Sequence, residues 1–180
     1  GIKKEKNVTE DLDLVPITTY NKTKMIAERI IKSYENEIDS FCIRPATVCG
    51  YSPRMRLDVS VNALAFQALD KKSINVFGGS QIRPNIHIKD MIRVYLHFLK
   101  KNIKPGVYNA GFENLSIINL AKKIQKKIDF KNKITKSNDP RSYRQNSQKL
   151  LRTGFKQKYY INDAIDDLIR FYDKGKIRNK

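Results

Sequence analysis

A tyrosine and a lysine four residues apart, Tyr20 and Lys24, have the side chains and the spacing for proton transfer. Residues i and i+4 share one face of a helix, so the phenol and the ammonium would be neighbours. A phenol has an ordinary pKa of about 10, and an adjacent fixed cation lowers the pKa of a phenol because it favours the phenolate. Such a pair suits an acid/base that works near neutral pH. The same spacing is typical of a solvated helix surface, so the surrounding elements have to discriminate between the two interpretations.

The stretch around Tyr20 predicts a helix followed by a buried strand. Thr18 or Thr19 can cap a helix that begins near Tyr20 and continues to about residue 36. Six apolar side chains recur at helical spacing and predict its inward face: Met25, Ile26, Ala27, Ile30, Ile31 and Tyr34. The apolar run at residues 41–43 then predicts a buried strand. A helix that leads into a buried strand indicates an α/β fold.

The rest of the chain repeats this alternation. We expect helices over residues 58–69, 91–101, 116–128 and 162–172, and strands over residues 74–77, 86–88 and 106–111. The first of these helices should bury one face, made of Val61, Leu64, Ala65 and Ala68. His87 alternates with two isoleucines, which favours a structural histidine over a catalyst. Asp90 is expected to cap the helix that begins at Met91.

Length and composition predict a single globular domain. The 180 residues, 40% of them hydrophobic, can form a real core. No window approaches the roughly 20 consecutive apolar residues of a membrane-spanning helix, and the first residues carry no apolar signal-peptide core. We therefore expect a soluble, cytoplasmic protein with no membrane partner. Cys42 and Cys49 are not spaced like paired metal ligands, so free or buried thiols are expected instead of a disulfide or a zinc site.

The formal net charge is +18, from 36 Lys and Arg against 18 Asp and Glu. A basic surface attracts phosphate, which raises nucleic-acid binding as a function. The lysines are scattered through helices and loops, however, and the basic C-terminus has no Arg-Gly repeat, zinc-finger spacing or aromatic RNA-binding motif. A solvated lysine-rich surface explains the charge better, and a basic nucleic-acid-binding protein stays as the last-ranked alternative.

Six motifs follow one another along the chain: Tyr20-x-x-x-Lys24, Arg44-Pro-Ala-Thr-Val-Cys-Gly50, Ser52-Pro-Arg-Met-Arg-x-Asp58, Gly78-Gly-Ser-Gln-x-Arg83, His87-x-x-Asp90 and Val107-Tyr-Asn-Ala-Gly111. In this order they resemble the extended short-chain dehydrogenase/reductases, specifically the NAD-dependent nucleotide-sugar epimerases and dehydratases. The resemblance covers nearly the whole chain. Six motifs in order are far more specific than any one of them alone.

The resemblance implies a role for each matched residue. Tyr20 would exchange a proton with a sugar hydroxyl, and Lys24 would hydrogen-bond the nicotinamide ribose and favour the phenolate of Tyr20. Pro45, Ala46 and Thr47 would lie against the nicotinamide and the sugar. Further substrate contacts would come from Asn62, Arg83, Arg141 and Tyr143. A guanidinium suits that task because its fork of donors matches phosphate oxygens.

The resemblance also implies a fold class and a division of the chain into two domains. We expect the C-terminal part of a Rossmann-type parallel sheet, incomplete, with a smaller α/β substrate-binding lobe. Residues 1–50 would be a remnant of the dinucleotide-binding domain, and residues 51–180 would be mainly the substrate-binding lobe with a late Rossmann strand near 106–111. The complete enzyme is expected to be a homodimer that binds NAD and a nucleotide-diphosphate sugar.

A dinucleotide-binding turn is not found in this sequence. Such a turn places glycines after the first strand so that the backbone can approach the pyrophosphate. Neither Gly-x-Gly-x-x-Gly nor Gly-x-x-Gly-x-x-Gly occurs in the 180 residues. We therefore expect an incomplete NAD site, a C-terminal portion of an epimerase or dehydratase, and no turnover by the isolated chain. A non-catalytic nucleotide-sugar-binding fragment is the alternative from another functional class.

Overall fold

The computed structural model describes residues 5, 7–100, 102–136 and 142–177. Helices and strands alternate along these residues. The helices are α1 (Thr19–Ser33), α2 (Ser60–Lys71), α3 (Ile88–Lys100), α4 (Ile117–Gln125), α5 (Gln148–Arg152) and α6 (Ile161–Asp173). The strands are β1 (Phe41–Pro45), β2 (Thr47–Cys49), β3 (Ser73–Phe77), β4 (Ile82–His87), β5 (Gly106–Ala110), β6 (Glu113–Ser116) and β7 (Lys131–Thr135).

The described strands form three small sheets. β1 and β5 are parallel, with Phe41 opposite Gly106 and Pro45 opposite Ala110. β4 lies between β2, which is parallel to it, and β6, which is antiparallel. β3 and β7 are parallel. Parallel strands linked through helices confirm the predicted α/β class.

Two hydrophobic clusters hold these elements together. The first joins α2, α4 and α6 to β3, and it contains the whole predicted face of α2. The second packs α3 and α5 against β1 and β5, with the rings of Phe41 and Phe98 5.0 Å apart. Burying one large aliphatic or aromatic side chain stabilises a fold by about 1.5–3 kcal/mol. These clusters therefore fix the strands from which the candidate site is built.

The predicted inward face of α1 is wrong. The helix begins as expected, because the Thr18 hydroxyl accepts a hydrogen bond from the Asn21 amide at 3.2 Å. It buries no residue, however, and Ile26 and Ile30 are 51% and 56% exposed. No described element packs over that side of the helix, so its apolar spacing has no counterpart in the core.

The predicted cap at Asp90 is also wrong. Helix α3 begins at Ile88, so Asp90 lies inside its first turn. The carboxylate is fully buried and accepts hydrogen bonds from the Lys158 amide at 3.0 Å and the Tyr159 amide at 2.8 Å, and it also pairs with Arg93. Asp90 therefore anchors the segment that precedes α6 instead of capping its own helix.

Some short elements were not expected from the sequence: β2, β6, β7 and α5. Helix α4 ends at Gln125, earlier than the predicted residue 128. β7 exposes nearly all of its side chains and carries no apolar run that would mark a strand. Its pairing with β3 places it in a sheet, and that pairing is not visible in the local sequence.

Candidate active site

An ion pair sets the position of α1 against β1. Arg44 donates from Nη2 to Glu28 Oε1 at 2.6 Å and from Nε to Glu28 Oε2 at 2.9 Å, and both side chains are about four-fifths buried. Arg44 Nη1 also donates to the Glu10 carbonyl at 3.1 Å. A bidentate pair of this kind fixes both the distance and the rotation of the two elements.

The first turn of α1 lies beyond the carboxyl end of β1. The last turn of the helix, with Lys32, lines a cavity together with Ser40 and Gly106 at the amino ends of β1 and β5. α1 therefore runs antiparallel to β1. A helix rises 1.5 Å per residue, so Tyr20 lies about 12 Å along the axis from Glu28. In open α/β sheets, ligands bind at the carboxyl ends of the strands.

Tyr20 and Lys24 contact each other at this position. The Lys24 ammonium lies 5.5 Å from the centre of the Tyr20 ring, and Tyr20 is 68% exposed. Both side chains line a cavity of about 600 Å³, and Pro45 at the end of β1 lines the same cavity. The structure thus brings three of the predicted site residues together, with a phenol open to a ligand and a cation beside it.

Ala46 and Thr47 follow directly after β1. Ala46 is buried, and its amide donates to the Ala110 carbonyl at 2.8 Å. A Cβ on Gly111 would lie 2.5 Å from the Ala46 side chain, so the two chain segments are in close contact here. Thr47 begins β2, is half-buried and lies opposite Asn85. The contacts that these residues make are packing contacts, and their predicted ligand contacts stay predictions.

Asn62 holds a loop instead of facing the cavity of Tyr20. Its side chain is buried, Oδ1 accepts from the Gly50 amide at 3.0 Å, and Nδ2 donates to the Arg56 carbonyl at 3.1 Å. Both polar atoms of the amide therefore bind backbone between residues 50 and 56. Its predicted substrate contact stays a prediction.

The same loop carries Arg56, which was not singled out as a site residue. Asp58 pairs with Arg56 at 2.6 Å and, by hydrogen bonding and charge, raises the pKa of the Arg56 guanidinium; Tyr20 adds a smaller contribution in the same direction. Arg56 therefore lies within electrostatic reach of the Tyr20 phenol. Its place in the motif that ends at Asp58 was the one signal in the sequence.

Arg83 and Tyr143 lie on neighbouring segments of the chain's fold. Arg83 is half-buried on β4, opposite Leu115 of β6. The Tyr143 amide donates to the Ile82 carbonyl at 3.3 Å, and the Ser142 hydroxyl accepts from the Ile82 amide at 3.0 Å. The segment with Tyr143 therefore runs alongside the strand that carries Arg83. Arg141 lies outside the described residues.

His87 has the surroundings of a structural histidine. The imidazole is buried, Nδ1 accepts from the Lys89 amide at 3.1 Å, and Nε2 lies 3.5 Å from Asp167 Oδ2. Burial lowers the pKa of His87, and the Asp167 charge opposes that shift. The ring also packs against Tyr159, at 5.2 Å between centres. His87 is not among the residues that line the cavity of Tyr20.

Comparison with known proteins identifies the family. Residues 1–111 match the model of the NAD dependent epimerase/dehydratase family, which is more than half of the chain. The chain belongs to this family. It is 30% identical to an uncharacterized UDP-glucose epimerase of Bacillus subtilis over 128 residues, which are 68% of this chain and 40% of that protein. It is 25% identical to an anthocyanidin reductase of Arabidopsis thaliana over 89% of this chain and 51% of that protein.

A solved member of the family shows the same fold. The UDP-glucuronic acid 4-epimerase of Bacillus cereus, in complex with UDP-glucuronic acid and NAD, superposes with a TM-score of 0.81 at 25% identity. The superposition covers 97% of this chain and 58% of that enzyme. The predicted Rossmann-type fold is thereby confirmed for the matched part. The chain spans about half the length of the curated relatives that it matches.

The two cysteines of this epimerase/dehydratase family member are free thiols. Burial raises the pKa of Cys49 to about 12, and burial also raises the pKa of the half-buried Cys42. Neither thiol is therefore activated as a nucleophile. Among the described residues, no helix combines the length and the apolar character that crossing a bilayer requires.

Proposed function

We propose that this chain supplies the catalytic helix and the substrate-binding lobe of an NAD-dependent nucleotide-sugar epimerase or dehydratase. The observation that carries the proposal is the shared cavity of Tyr20, Lys24 and Pro45 at the carboxyl end of β1. The family match and the UDP-sugar complexes among the solved relatives support it. In the same proposal, residues 1–50 are a remnant of the dinucleotide-binding domain, and residues 51–180 form mainly the substrate-binding lobe, with β5 as a late strand of the Rossmann-type sheet.

Tyr20 is the proposed proton-transfer group. Its phenol is exposed to the cavity, where a sugar hydroxyl can approach it, and the Lys24 ammonium lies 5.5 Å from the centre of its ring. Arg56, on the loop held by Asn62, lies within electrostatic reach of the phenol, but Asp58 pairs with its charge. An exposed phenol with an ammonium beside it suits a tyrosine that removes a proton from a hydroxyl and later returns it.

The residues present fit one end of NAD. Pro45 is exposed at the end of β1 beside Tyr20 and Lys24, which leaves room for a flat ring at the position that the family gives to the nicotinamide. NAD, when bound, would accept a hydride from the sugar and return it. The sequence offers no glycine-rich turn for the pyrophosphate, so these residues would hold the nicotinamide end and not the whole dinucleotide.

Arg83 and Tyr143 are the proposed contacts of the nucleotide-sugar diphosphate. Tyr143 lies beside the strand of Arg83, so a guanidinium and a phenol lie on adjacent segments. A guanidinium binds phosphate oxygens through paired donors. Arg141, next to these residues in the sequence, is part of the same proposed group.

A non-catalytic nucleotide-sugar-binding role is the second candidate. It is compatible with the described residues, because contacts to a sugar nucleotide from Arg83 and Tyr143 do not require a bound dinucleotide. Titration calorimetry with UDP-glucose and UDP-glucuronic acid, with and without NAD, is carried out on the 180-residue chain and on a fusion of it to the part of the Bacillus cereus epimerase that it does not match. Affinity that rises with NAD in the fusion supports the enzyme, and affinity that is the same with and without NAD in both proteins supports the binding role. No affinity for either sugar nucleotide in either titration would contradict both.

A further inference from the structure

The segment of residues 142–147 binds the strand that carries Arg83, one of the proposed diphosphate contacts. The Ser142 hydroxyl accepts a hydrogen bond from the Ile82 amide at 3.0 Å, and the Tyr143 amide donates to the Ile82 carbonyl at 3.3 Å. Ile82 directly precedes Arg83 in β4. The position of this end of the segment is therefore tied to the group that is proposed to bind the diphosphate.

The side chain of Gln145, in the middle of the segment, reaches the carboxyl ends of β1 and β5. Its Nε2 donates to the Arg44 carbonyl at 2.8 Å and to Asn109 Oδ1 at 3.2 Å. A side-chain amide has two N–H donors, so one residue can bind both strands. Arg44 lies one residue before Pro45, which lines the cavity of Tyr20. Gln145 thus holds the backbone at the wall of that cavity.

The surroundings of Gln145 are tightly packed. Its side chain is buried, and a Cβ on Gly111, the residue after β5, would overlap its Oε1 and lie 2.5 Å from the Ala46 Cβ. Gly111 is also held by Ser147, whose hydroxyl accepts from the Gly111 amide at 2.9 Å and donates to the Gly111 carbonyl at 2.7 Å. In such close packing, a shift of the segment is transmitted to the ends of both strands.

Stability alone does not account for a glutamine at this position. Gln145 Oε1 is buried and has no hydrogen-bond partner among the described residues. A buried acceptor without a partner lowers the free energy of unfolding. Methionine would fill a similar volume without that loss, but it could not donate to the two strands. The two hydrogen bonds of Nε2 are therefore what a glutamine provides here.

We propose that Gln145 is a positioning residue that couples nucleotide-sugar binding to the nicotinamide end of the site. This role rests on the proposed function, in which Arg83 and Tyr143 contact the diphosphate and Pro45 lies beside the nicotinamide. A diphosphate held by Arg83 and Tyr143 orders the 142–147 segment, and Gln145 carries this order to the backbone that precedes Pro45. Ligands that order the same segment bind with positive coupling.

Amide hydrogen exchange of the 180-residue chain tests this coupling. It is measured with and without UDP-glucose or UDP-glucuronic acid, whichever binds more tightly by calorimetry. The Ala46 amide, which donates to the Ala110 carbonyl, reports on the backbone next to Pro45. We expect the sugar nucleotide to slow its exchange about tenfold, within the usual range for coupling between two sites. Gln145→Met should abolish this slowing and change the affinity for the sugar nucleotide by less than about threefold.

Two further variants separate the coupling from a purely structural role. Gln148→Met makes the same replacement at an exposed position of α5 and should retain the slowing at Ala46. Ser142→Ala removes the acceptor of the Ile82 amide at the other end of the segment, and it should reduce the slowing although Gln145 is intact. Exchange rates with and without the sugar nucleotide are compared within each variant, so a loss of stability common to both conditions cancels.

The possible results distinguish this role from the proposed function. If the sugar nucleotide binds but does not slow exchange at Ala46, or slows it equally in Gln145→Met, the coupling is refuted and the proposed function stands. If Gln145→Met fails to fold by circular dichroism, an unchanged slowing in Ser142→Ala refutes the coupling. If neither UDP-glucose nor UDP-glucuronic acid binds, the proposed function is refuted, and the coupling is refuted with it.

Discussion

The Glu28 carboxylate accepts two hydrogen bonds from the Arg44 guanidinium, at 2.6 and 2.9 Å, and thereby joins α1 to β1. α1 buries no residue in the core. The position of Tyr20 and Lys24 relative to the end of β1 therefore depends on this ion pair more than on packing. The other long helices are held by buried apolar side chains, whereas α1 is held to β1 by this ion pair.

Replacing Glu28 with Ala should loosen α1 before it affects the rest of the fold. We expect the free energy of unfolding to fall by about 1–2 kcal/mol, because Arg44 loses two charge-assisted hydrogen bonds at a partly screened site. Amides of α1 should exchange faster, while those of α2 stay protected. Urea denaturation and hydrogen exchange measure these effects. Arg29→Ala, at an exposed position of the same helix, is the matched control, and an equal effect there would refute the role of the pair.

Asp90 should be among the most sensitive polar positions outside the candidate site. Asp90→Ala leaves the amides of Lys158 and Tyr159 and the Arg93 guanidinium without their acceptor in a buried location. We expect a loss of about 2–4 kcal/mol in the free energy of unfolding, measured by urea denaturation. Asp90→Asn keeps one acceptor oxygen and should lose less.

Asp166→Ala provides the control for Asp90. Asp166 pairs with Lys127 at 2.5 Å, but its side chain is 59% exposed. Exposed ion pairs contribute little, so the change should stay within about 0.5 kcal/mol. If both substitutions lowered the free energy of unfolding by similar amounts, the buried hydrogen bonds of Asp90 would not be the cause of its effect.

The parts of the fold that were predicted correctly depend on residues close in sequence. The face of α2 follows from side chains within three turns, and Ser116 caps α4 through the Asn119 amide three residues later. Asp90 binds amides 68 and 69 residues away, and no local pattern reveals such partners. The apolar spacing of α1 was read correctly as helical, but the spacing does not say whether another element covers the face.

The residues of the candidate site were likewise predicted from the sequence only in part. Motif order predicted Tyr20, Lys24 and Pro45, and the structure places them around one cavity. For Asn62 the motif gave no hint that both atoms of its amide bind the backbone of the 50–56 loop. The proximity of Arg56 to Tyr20 likewise depends on how that loop folds back, which is a tertiary property.

The isolated chain should show no NAD-dependent turnover of UDP-glucose or UDP-glucuronic acid, since its sequence offers no cradle for the pyrophosphate. In a fusion of this chain to the part of the Bacillus cereus epimerase that it does not match, Tyr20→Phe should lower kcat by about 10²–10⁴-fold and leave nucleotide-sugar affinity unchanged, as expected for loss of proton transfer. Tyr34→Phe, at the end of the same helix, is the control. Turnover by the chain alone would contradict the first expectation, and a fully active Tyr20→Phe fusion would contradict the second.

Stability should fall as the pH drops below about 6.5 because of His87. Burial lowers the pKa of His87 in the folded state below the ordinary value of 6.5, so the unfolded chain binds a proton more readily. The stabilisation is complete above pH 6.5 and is lost progressively as the pH falls towards the folded pKa. Urea midpoints between pH 5 and 7.5 measure this slope. His87→Gln should flatten it, whereas His97→Gln, which changes the other histidine of the chain, should retain it. An unchanged slope in His87→Gln would assign the pH dependence to other groups.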